Sequence, residues 1–472
     1  MNEFSETKVA VIGLDASGIA ACKLLKSQGA RVCAVQAEGV HPSQKETAEL
    51  GALGIQISPE NSIPDGTSLA VHCSGVSRKS ALVQEFVKRE IEVISDLELA
   101  GRGLFCLSVA ICGTNGKTTT AELVAQMLAG AQRKTTRAGA SGAPVCGIPE
   151  LSRELDFVTL DVNSFQLESI EHFRPSVAVV TNIRGDHMDK YSNLAEYAQV
   201  IGRVFKSQQV FDWAIVQSEA LAHLRSLGVE IPSKVITFSS QNRRADLYLD
   251  RGLLISSLAN WCGPLFNMEQ CALPGPHHAE NAMAALAVGR VLRLNLEQMI
   301  GALKAYRPGP HRLELVREIE GVRYVNNSKA MNVAAVQQSI EAIPPGLAGE
   351  PNIWLIAGGR DKMLDYHELG PVLAQRVKGA FLLGESRQKL RAAWSLFTPC
   401  TLVNSLLEAV SEAARSAAAG DYVLLSPAGS SLDMFQSYQH RGEKFREAVG
   451  NLAKNADKTS STDHVRACST TT

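Results

Sequence analysis

Residues 105–122 constrain the fold more tightly than any other stretch of this chain. They read as a buried strand, a glycine turn and a helix in immediate succession. The run 105–112 is short and apolar, as a strand covered on both faces requires. It stops at Gly113-Thr114-Asn115-Gly116-Lys117-Thr118-Thr119-Thr120, and a helix-like stretch at 121–128 follows. That order builds an anion cradle: glycines let backbone N–H groups turn inward, and the helix N-terminus adds the positive end of its dipole. Lys117 supplies a point charge for β- and γ-phosphates, and the Thr118 hydroxyl suits Mg²⁺. Gly113, Thr114, Asn115, Gly116, Lys117, Thr118 and Thr119 are therefore the candidate triphosphate-binding residues. Ile111 stands where the full phosphate-loop pattern opens with glycine. The bland alternative is an incidental Gly-Lys-Thr between strand and helix. The ordered occurrence of strand, glycines, lysine, hydroxyls and helix argues against it, and points to an ATP-handling enzyme.

A chain of 472 residues is too long for one ordinary core, so several domains are expected. Its 45% apolar and 20% charged residues describe a globular protein. A net charge of −1, with no basic block interleaved with aromatics, excludes nucleic acid as the expected partner. The ten cysteines are scattered without a C-x-x-C pair. They predict buried small hydrophobes of a reducing compartment, neither a disulfide framework nor a zinc site. The start, Met1-Asn2-Glu3-Phe4-Ser5-Glu6, is polar, and no apolar run approaches a membrane span. The expectation is a cytoplasmic chain with no membrane partner.

Three α/β segments follow one another. In the first, 1–100, a strand at 8–12 leads through Gly13-Leu14-Asp15-Ala16-Ser17-Gly18 to a helix ending near Ser27 and a strand at 31–35. This is a βαβ opening of dinucleotide-fold type. Asp15 occupies the middle glycine position, where a carboxylate would repel a closely held pyrophosphate, so the turn speaks for fold more than ligand. Further strands are expected at 69–73 and 91–94. The second segment, 101–308, shows short apolar runs at 157–160, 177–181 and 213–217 and a helix at 279–291. Arg307-Pro308-Gly309-Pro310 breaks the chain. In the third, 309–454, strands at 353–357, 380–383 and 422–425 alternate with helical stretches, which predicts another doubly wound sheet. From 455 to 472 the composition is Ser/Thr/Lys-rich and predicts a disordered tail.

Beyond the cradle, Asp161 closes the apolar run 157–160, where an acid suits the metal position on a strand beside a phosphate loop. Asn163 or Ser164 fits a helix cap just after it. His187 follows a strand end within Thr181-Asn182-Ile183-Arg184-Gly185-Asp186-His187-Met188-Asp189 and is a candidate for Mg²⁺ or phosphate. A lone histidine is more often structural.

With these residues in this order, the chain resembles the Mur ligases, ATP-dependent amide-forming enzymes of peptidoglycan precursor synthesis, over about residues 8–449. Ser164-Phe165-Gln166-Leu167-Glu168 resembles a segment of the branch that adds D-glutamate to UDP-N-acetylmuramoyl-L-alanine. Asn182, Asp186 and His187 fall on the family's Asn-x-x-x-Asp-His motif. Asn281, after Gly275-Pro276-His277, resembles the adenine-contacting site, and Arg312 in His311-Arg312-Leu313-Glu314 the hinge arginine that reaches ATP. Ser328-Lys329-Ala330 with Asn332, Gly358-Gly359 with Lys362, and Leu425-Ser426-Pro427-Ala428 with Ser431, Asp433, Phe435, Arg441-Gly442 and Phe445 match later motifs.

The resemblance implies three domains. These are a Rossmann-like N-terminal domain for the UDP-sugar substrate, a central P-loop ATPase domain and a Rossmann-like C-terminal domain for the amino acid. It implies an ATP-dependent acid–amino-acid ligase working as a monomer, with Lys117, His187 and Lys329 catalytic and Thr118, Asp161 and His187 on Mg²⁺. Asn281 and Arg312 join the loop in holding ATP, and Lys362, Ser426 and Phe435 hold D-glutamate.

Several positions depart from the family pattern. Ala140 replaces an asparagine that contacts the nucleotide-sugar diphosphate, Asp161 a glutamate, and Asn163 a serine. Ile201 stands where many relatives carry a lysine that becomes carbamoylated and ligates a second Mg²⁺; Lys206 points to another helix face. His278 replaces an asparagine, Asn327 an aspartate, and Met331 a threonine. Two outcomes follow: a rearranged but active ligase, or a divergent ATP-binding paralogue with reduced or no ligase activity and a regulatory or scaffold role. An oxidoreductase built on the Gly13 turn is disfavoured by Asp15 and leaves the phosphate loop without a purpose.

Overall fold

The computed structural model describes residues 4–37, 42–59 and 62–467. Three sheets follow one another along the chain, each with helices between its strands. The first has five parallel strands in the order Gln56–Ser58, Arg31–Val35, Lys8–Ile12, Leu69–His72, Glu92–Ser95. Its first turn matches the expected βαβ opening, and the structure gives Asp15 a local task. The Asp15 carboxylate accepts from the N–H groups of Ser17 and Gly18 at 3.1 and 3.2 Å and caps the helix Ala16–Ser27. Gly18 is obligatory here, since a Cβ would lie 1.9 Å from the Gly13 carbonyl oxygen.

The second sheet has nine strands. Its parallel block runs Thr135–Gly139, Phe157–Asp161, Leu107–Cys112, Val177–Val180, Trp213–Gln217, Lys234–Ser239 and Leu247–Asp250. Leu253–Ser256 and Gly263–Asn267 then add antiparallel to that edge. These last strands were not anticipated, because partly polar hairpin strands lack the continuous apolar signature of buried parallel ones. Val109, Ile111, Val177, Val179 and Ile215 face the helices Lys117–Gly130 and Pro276–Val291 in one core. The second helix is alanine-rich and buried over most of its length, so it can approach the first closely.

The third sheet has six strands, ordered Glu314–Ile319, Val322–Asn326, Tyr422–Ala428, Ile353–Gly358, Val377–Leu383, Cys400–Leu402, with only the first pair antiparallel. Cores lie on both of its faces.

The chain forms two compact units, one of residues 1–183 with 190–306, the other of 184–189 with 307–472. The first two sheets thus share a unit. Residues 184–189 differ from expectation: they pack with the third sheet's unit, where Met188 rests on its core and Asp186 meets Lys362. The final helix, Tyr438–Ala467, also differs from expectation, continuing through much of the segment read as irregular. From Asn451 to Ala467 no proline or glycine interrupts it. Residues 468–472 of that segment, and the first three of the polar start, lie outside the described residues. Nine described cysteines are free thiols, but only Cys22, Cys73, Cys112 and Cys146 are buried as expected, and Cys262 is exposed; Cys468 lies outside the described residues. Among the described residues no helix is long and apolar enough to cross a membrane.

Candidate functional site

The phosphate loop is held open by backbone geometry that its glycines alone tolerate. Gly113 has φ 118° and Gly116 φ 87°, in the region where a Cβ is penalised. Space is also lacking: a Cβ on Gly113 would sit 2.4 Å from Thr181 Oγ1, and one on Gly116 2.1 Å from Asn281 Oδ1. Asn182 fixes the crest of the loop, its Oδ1 accepting from the Asn115 N–H and its amide donating to the Asn115 carbonyl, each at 3.0 Å. The Thr114 N–H donates to the Asn182 carbonyl at 2.9 Å. The loop opens directly into the helix Lys117–Gly130, whose N-cap is Gly116. Lys117 folds over the loop, its ammonium donating to the carbonyls of Gly113 and Thr114 at 2.9 and 2.8 Å. A single side chain thus keeps a positive charge at the mouth of the cradle. Thr119 is buried in the first turn of the helix.

Asn281, expected against an adenine ring, is buried beside the loop, with Thr120 Oγ1 donating to its Oδ1 at 3.4 Å. His278 bonds the Pro274 carbonyl at 2.7 Å, and its ring lies tilted by 41° against that of His277, with centroids 4.1 Å apart. Burial, with His278 alongside, pushes His277 down to about 3 and keeps it neutral.

Asp161 ends the strand beside the loop and is buried. Its Oδ2 accepts from Thr118 Oγ1 at 2.7 Å and from the Ser141 hydroxyl. Its Oδ1 is buried with no hydrogen-bond partner. A buried, unpartnered carboxylate oxygen beside hydroxyls is a donor set that a hard divalent cation fits. The predicted metal residues Thr118 and Asp161 are therefore together, whereas His187 belongs to the segment 184–189 of the other unit. Ile201, at the expected second-metal position, is fully buried on the helix Leu194–Gly202.

In the second unit Asp186 organises several predicted residues. Lys362 donates to its Oδ1 at 2.7 Å, the Asn332 amide to its Oδ2 at 3.3 Å, and the His187 N–H to Oδ1 at 2.9 Å. Lys362, expected to face a substrate carboxylate, is thus a buried partner of a protein carboxylate. His187 itself is held in left-handed backbone at φ 54°. Lys329 lies over the Tyr438 ring, 5.2 Å from its centroid, and Arg312 is half-buried. Ser426 is fully buried and within 3.3 Å of the Ser339 hydroxyl. Phe435 meets His440 edge-on at 5.9 Å and borders a small cavity with Leu425, Pro427 and Arg441. Arg441 is buried, its guanidinium donating to Ser328 Oγ and to the carbonyls of Ser328 and Gly429. Burial lowers it to about 10, still charged at neutral pH.

Two buried carboxylates were not singled out from sequence. Glu168 accepts from the Ser77 hydroxyl at 3.0 Å, from Tyr191 Oη at 2.7 Å and from the Arg78 N–H. Burial pushes the Glu168 carboxyl above its ordinary range, and the bonds from Tyr191, Arg78 and Ser77 oppose the rise. It ties the segment after Asp161 to residues 77–78. Asp96 accepts from the Gln166 amide at 3.0 Å and is pushed up to about 7, first by burial. Both partners come from distant sequence, so spacing alone carried no signal. Nearby, His72 is buried and pushed down to about 4 by desolvation. Its Nδ1–H donates to the Val76 carbonyl at 2.9 Å, and Nε2 accepts from Ser169 at 2.8 Å.

A family model described as the Mur ligase middle domain matches residues 111–289, and one described as the Mur ligase glutamate ligase domain matches 311–429. The chain is 33% identical to the UDP-N-acetylmuramoylalanine–D-glutamate ligase of Geobacter metallireducens, across 95% of this chain and 98% of that one. It is 34% identical to the ligase of the same name from Pelotomaculum thermopropionicum, across 96% and 100%. Among solved structures, the UDP-N-acetylmuramate–alanine ligase of Thermotoga maritima shares the fold at TM-score 0.61 and 18% identity, covering 95% of this chain and 100% of that one. A pseudomurein peptide ligase from Methanothermus fervidus does so at 0.59 and 16%, with the same coverage.

Proposed function

We propose that this chain, which belongs to the Mur ligase family, is an ATP-dependent ligase that adds D-glutamate to UDP-N-acetylmuramoyl-L-alanine. The observation that carries the reading is the phosphate loop, built on glycines that no other residue could replace, next to a carboxylate with an unpartnered buried oxygen. Relatives bearing that ligase name match almost the whole chain, which supports the choice of substrates.

The chemistry explains why such a site is needed. A carboxylate is a poor acyl donor because its leaving group would be oxide. Transfer of the γ-phosphoryl group of ATP makes an acyl phosphate, so phosphate leaves when the amine of D-glutamate attacks. The products are the amide, ADP and phosphate. Catalysis then consists of positioning substrates and neutralising phosphate charge. Lys117 is assigned the β/γ-phosphates and moves from the carbonyls of Gly113 and Thr114 to do so. Thr118 and Asp161 would hold Mg²⁺, which neutralises charge on the phosphates when bound. Arg312 is assigned to ATP and Lys329 to the charge developing on the transferred phosphoryl and acyl oxygens. Asn281 supports the nucleotide site through the loop. His187, on the backbone fixed by Asp186, is assigned to the phosphates or their cation. Lys362, Ser426 and Phe435 are assigned to D-glutamate, with Asp186 setting where the Lys362 ammonium lies.

Phosphate release by purified protein, with substrates omitted in turn, tests the proposal. Release that needs ATP, UDP-N-acetylmuramoyl-L-alanine and D-glutamate together supports it. The departures at Ala140 and Ile201 favour one competing reading, a paralogue that binds nucleotide without making an amide. Nucleotide binding without release would establish that reading instead.

A further inference from the structure

Asp161 has a second hydroxyl beside it that the family resemblance does not account for. Ser141 lies on the loop between the strand Thr135–Gly139 and Pro144, and that loop is fastened to the Asp161 backbone. The Ala140 N–H donates to the Asp161 carbonyl at 2.8 Å, and the Gly139 N–H to the Ala143 carbonyl at 2.9 Å. Gly139, at φ 108°, has no room for a Cβ, which would fall 2.1 Å from the same Asp161 oxygen. Gly142 turns the loop back at φ 128°. The position of Ser141 relative to Asp161 is therefore set by main chain, and its hydroxyl reaches Asp161 Oδ2, the oxygen that also accepts from Thr118.

The unequal treatment of the two carboxylate oxygens is informative. Oδ2 accepts two hydroxyls, while Oδ1 is buried with no partner. A buried polar atom left without a partner is costly, and a loop placed to solvate Asp161 would have served Oδ1. Instead the Ser141 hydroxyl gives its proton to Oδ2 and keeps acceptor lone pairs beside the bare Oδ1. Oxygen donors of this kind, charged and neutral, are what a small hard cation takes while it retains waters and phosphate oxygens. Among the described residues no group of three or more His, Cys, Asp and Glu is gathered to hold a metal, so a cation at Asp161 would draw on hydroxyls beside that one carboxylate.

We infer that Ser141 is a ligand of the nucleotide-associated divalent cation, acting with Thr118 and Asp161. The inference rests on the cation site assigned above and extends it by one residue from a different loop.

Direct Mn²⁺ binding to the full chain, followed by electron paramagnetic resonance with a non-hydrolysable ATP analogue present, separates the two claims. Ser141→Ala should weaken Mn²⁺ about 10-fold or more with its melting temperature in the absence of metal close to the parent's. Ser141→Thr, which keeps the hydroxyl, should restore most of the affinity. Ligation is distinguished from mere support of Asp161 by Ser141→Cys. A soft sulfur ligand should shift preference from Mn²⁺ toward Cd²⁺ and add a thiolate–Cd²⁺ absorption absent from the parent. Parental Mn²⁺ affinity in Ser141→Ala, or no gain in Cd²⁺ preference in Ser141→Cys, overturns the inference. If either occurs while Asp161→Asn loses Mn²⁺, the cation site stands without Ser141. If Asp161→Asn also binds Mn²⁺ normally, the site itself is wrong.

Discussion

The Lys362–Asp186 pair offers a prediction whose size can be worked from its surroundings. Its charged atoms are 2.7 Å apart, with side chains only 8% and 12% exposed. Lys362→Met removes the cation and leaves a buried carboxylate with the Asn332 amide and the His187 N–H among its remaining partners. Breaking a buried pair from one side costs about 3–5 kcal/mol, and the surviving bonds place this case near the lower end, at about 3 kcal/mol. For a unit of this size that lowers the melting temperature by roughly 6–12 °C. Removing both charges should cost less than removing one, because no unpaired ion stays buried. Lys362→Met/Asp186→Asn should therefore recover about 2 kcal/mol relative to the sum of the single variants. Calorimetry on the four proteins, reading the transition of the second unit, completes the cycle. A single-variant loss below about 1 kcal/mol, or strict additivity, would show that the pair is solvated and that the surrounding account of Asp186 is mistaken.

Further expectations follow from the same geometry. Lys117→Ala should reduce turnover by at least about 10²-fold without loss of fold, since its ammonium touches only loop carbonyls in this state; steady-state kinetics and circular dichroism check both halves. Asp96 has a folded value raised to about 7 from an ordinary 3.8, so the native state binds its proton more tightly than the unfolded chain. Stability from this group is greatest below about pH 4 and is lost as pH rises through 7, by at most about 4 kcal/mol. Asp96→Asn should flatten that slope and exceed the parent in urea midpoint at pH 8, and an unchanged slope would exclude Asp96 as its source. Ile201→Lys places an ammonium in a fully buried apolar position and should lower stability by about 2 kcal/mol or more. A stable variant with raised activity in bicarbonate would instead restore the second-metal reading.

What was legible in the sequence was what local patterns encode. The run into Gly113 and the lysine after Gly116 specified strand, turn and helix together, because each residue type there answers a backbone requirement. Asp161 was readable as an acid at the end of a buried strand. A helix cap at Asn163 or Ser164 was readable too, and the structure makes it Asn163, in a full capping box with Gln166. Less visible were features created by long-range approach. The protein partner of Lys362 was not readable, since nothing near it in sequence announces Asp186. Asn281 was read through resemblance as a base contact, while its packing against Gly116 depends on how two helices meet. The edge strands from Leu247 to Asn267 escaped notice because their half-exposed faces carry polar residues. Ser141 drew no attention, for its meaning lies in an oxygen twenty residues away.

The central claim is that this chain forms an amide from an activated carboxylate. Mass spectrometry of a mixture containing the protein, ATP, Mg²⁺, UDP-N-acetylmuramoyl-L-alanine and D-glutamate tests it directly. The account predicts a species with the mass of the glutamyl amide, accompanied by one ADP for each product molecule. Bound nucleotide with unaltered acceptor and amino acid, in a sample whose fold is intact, would contradict it.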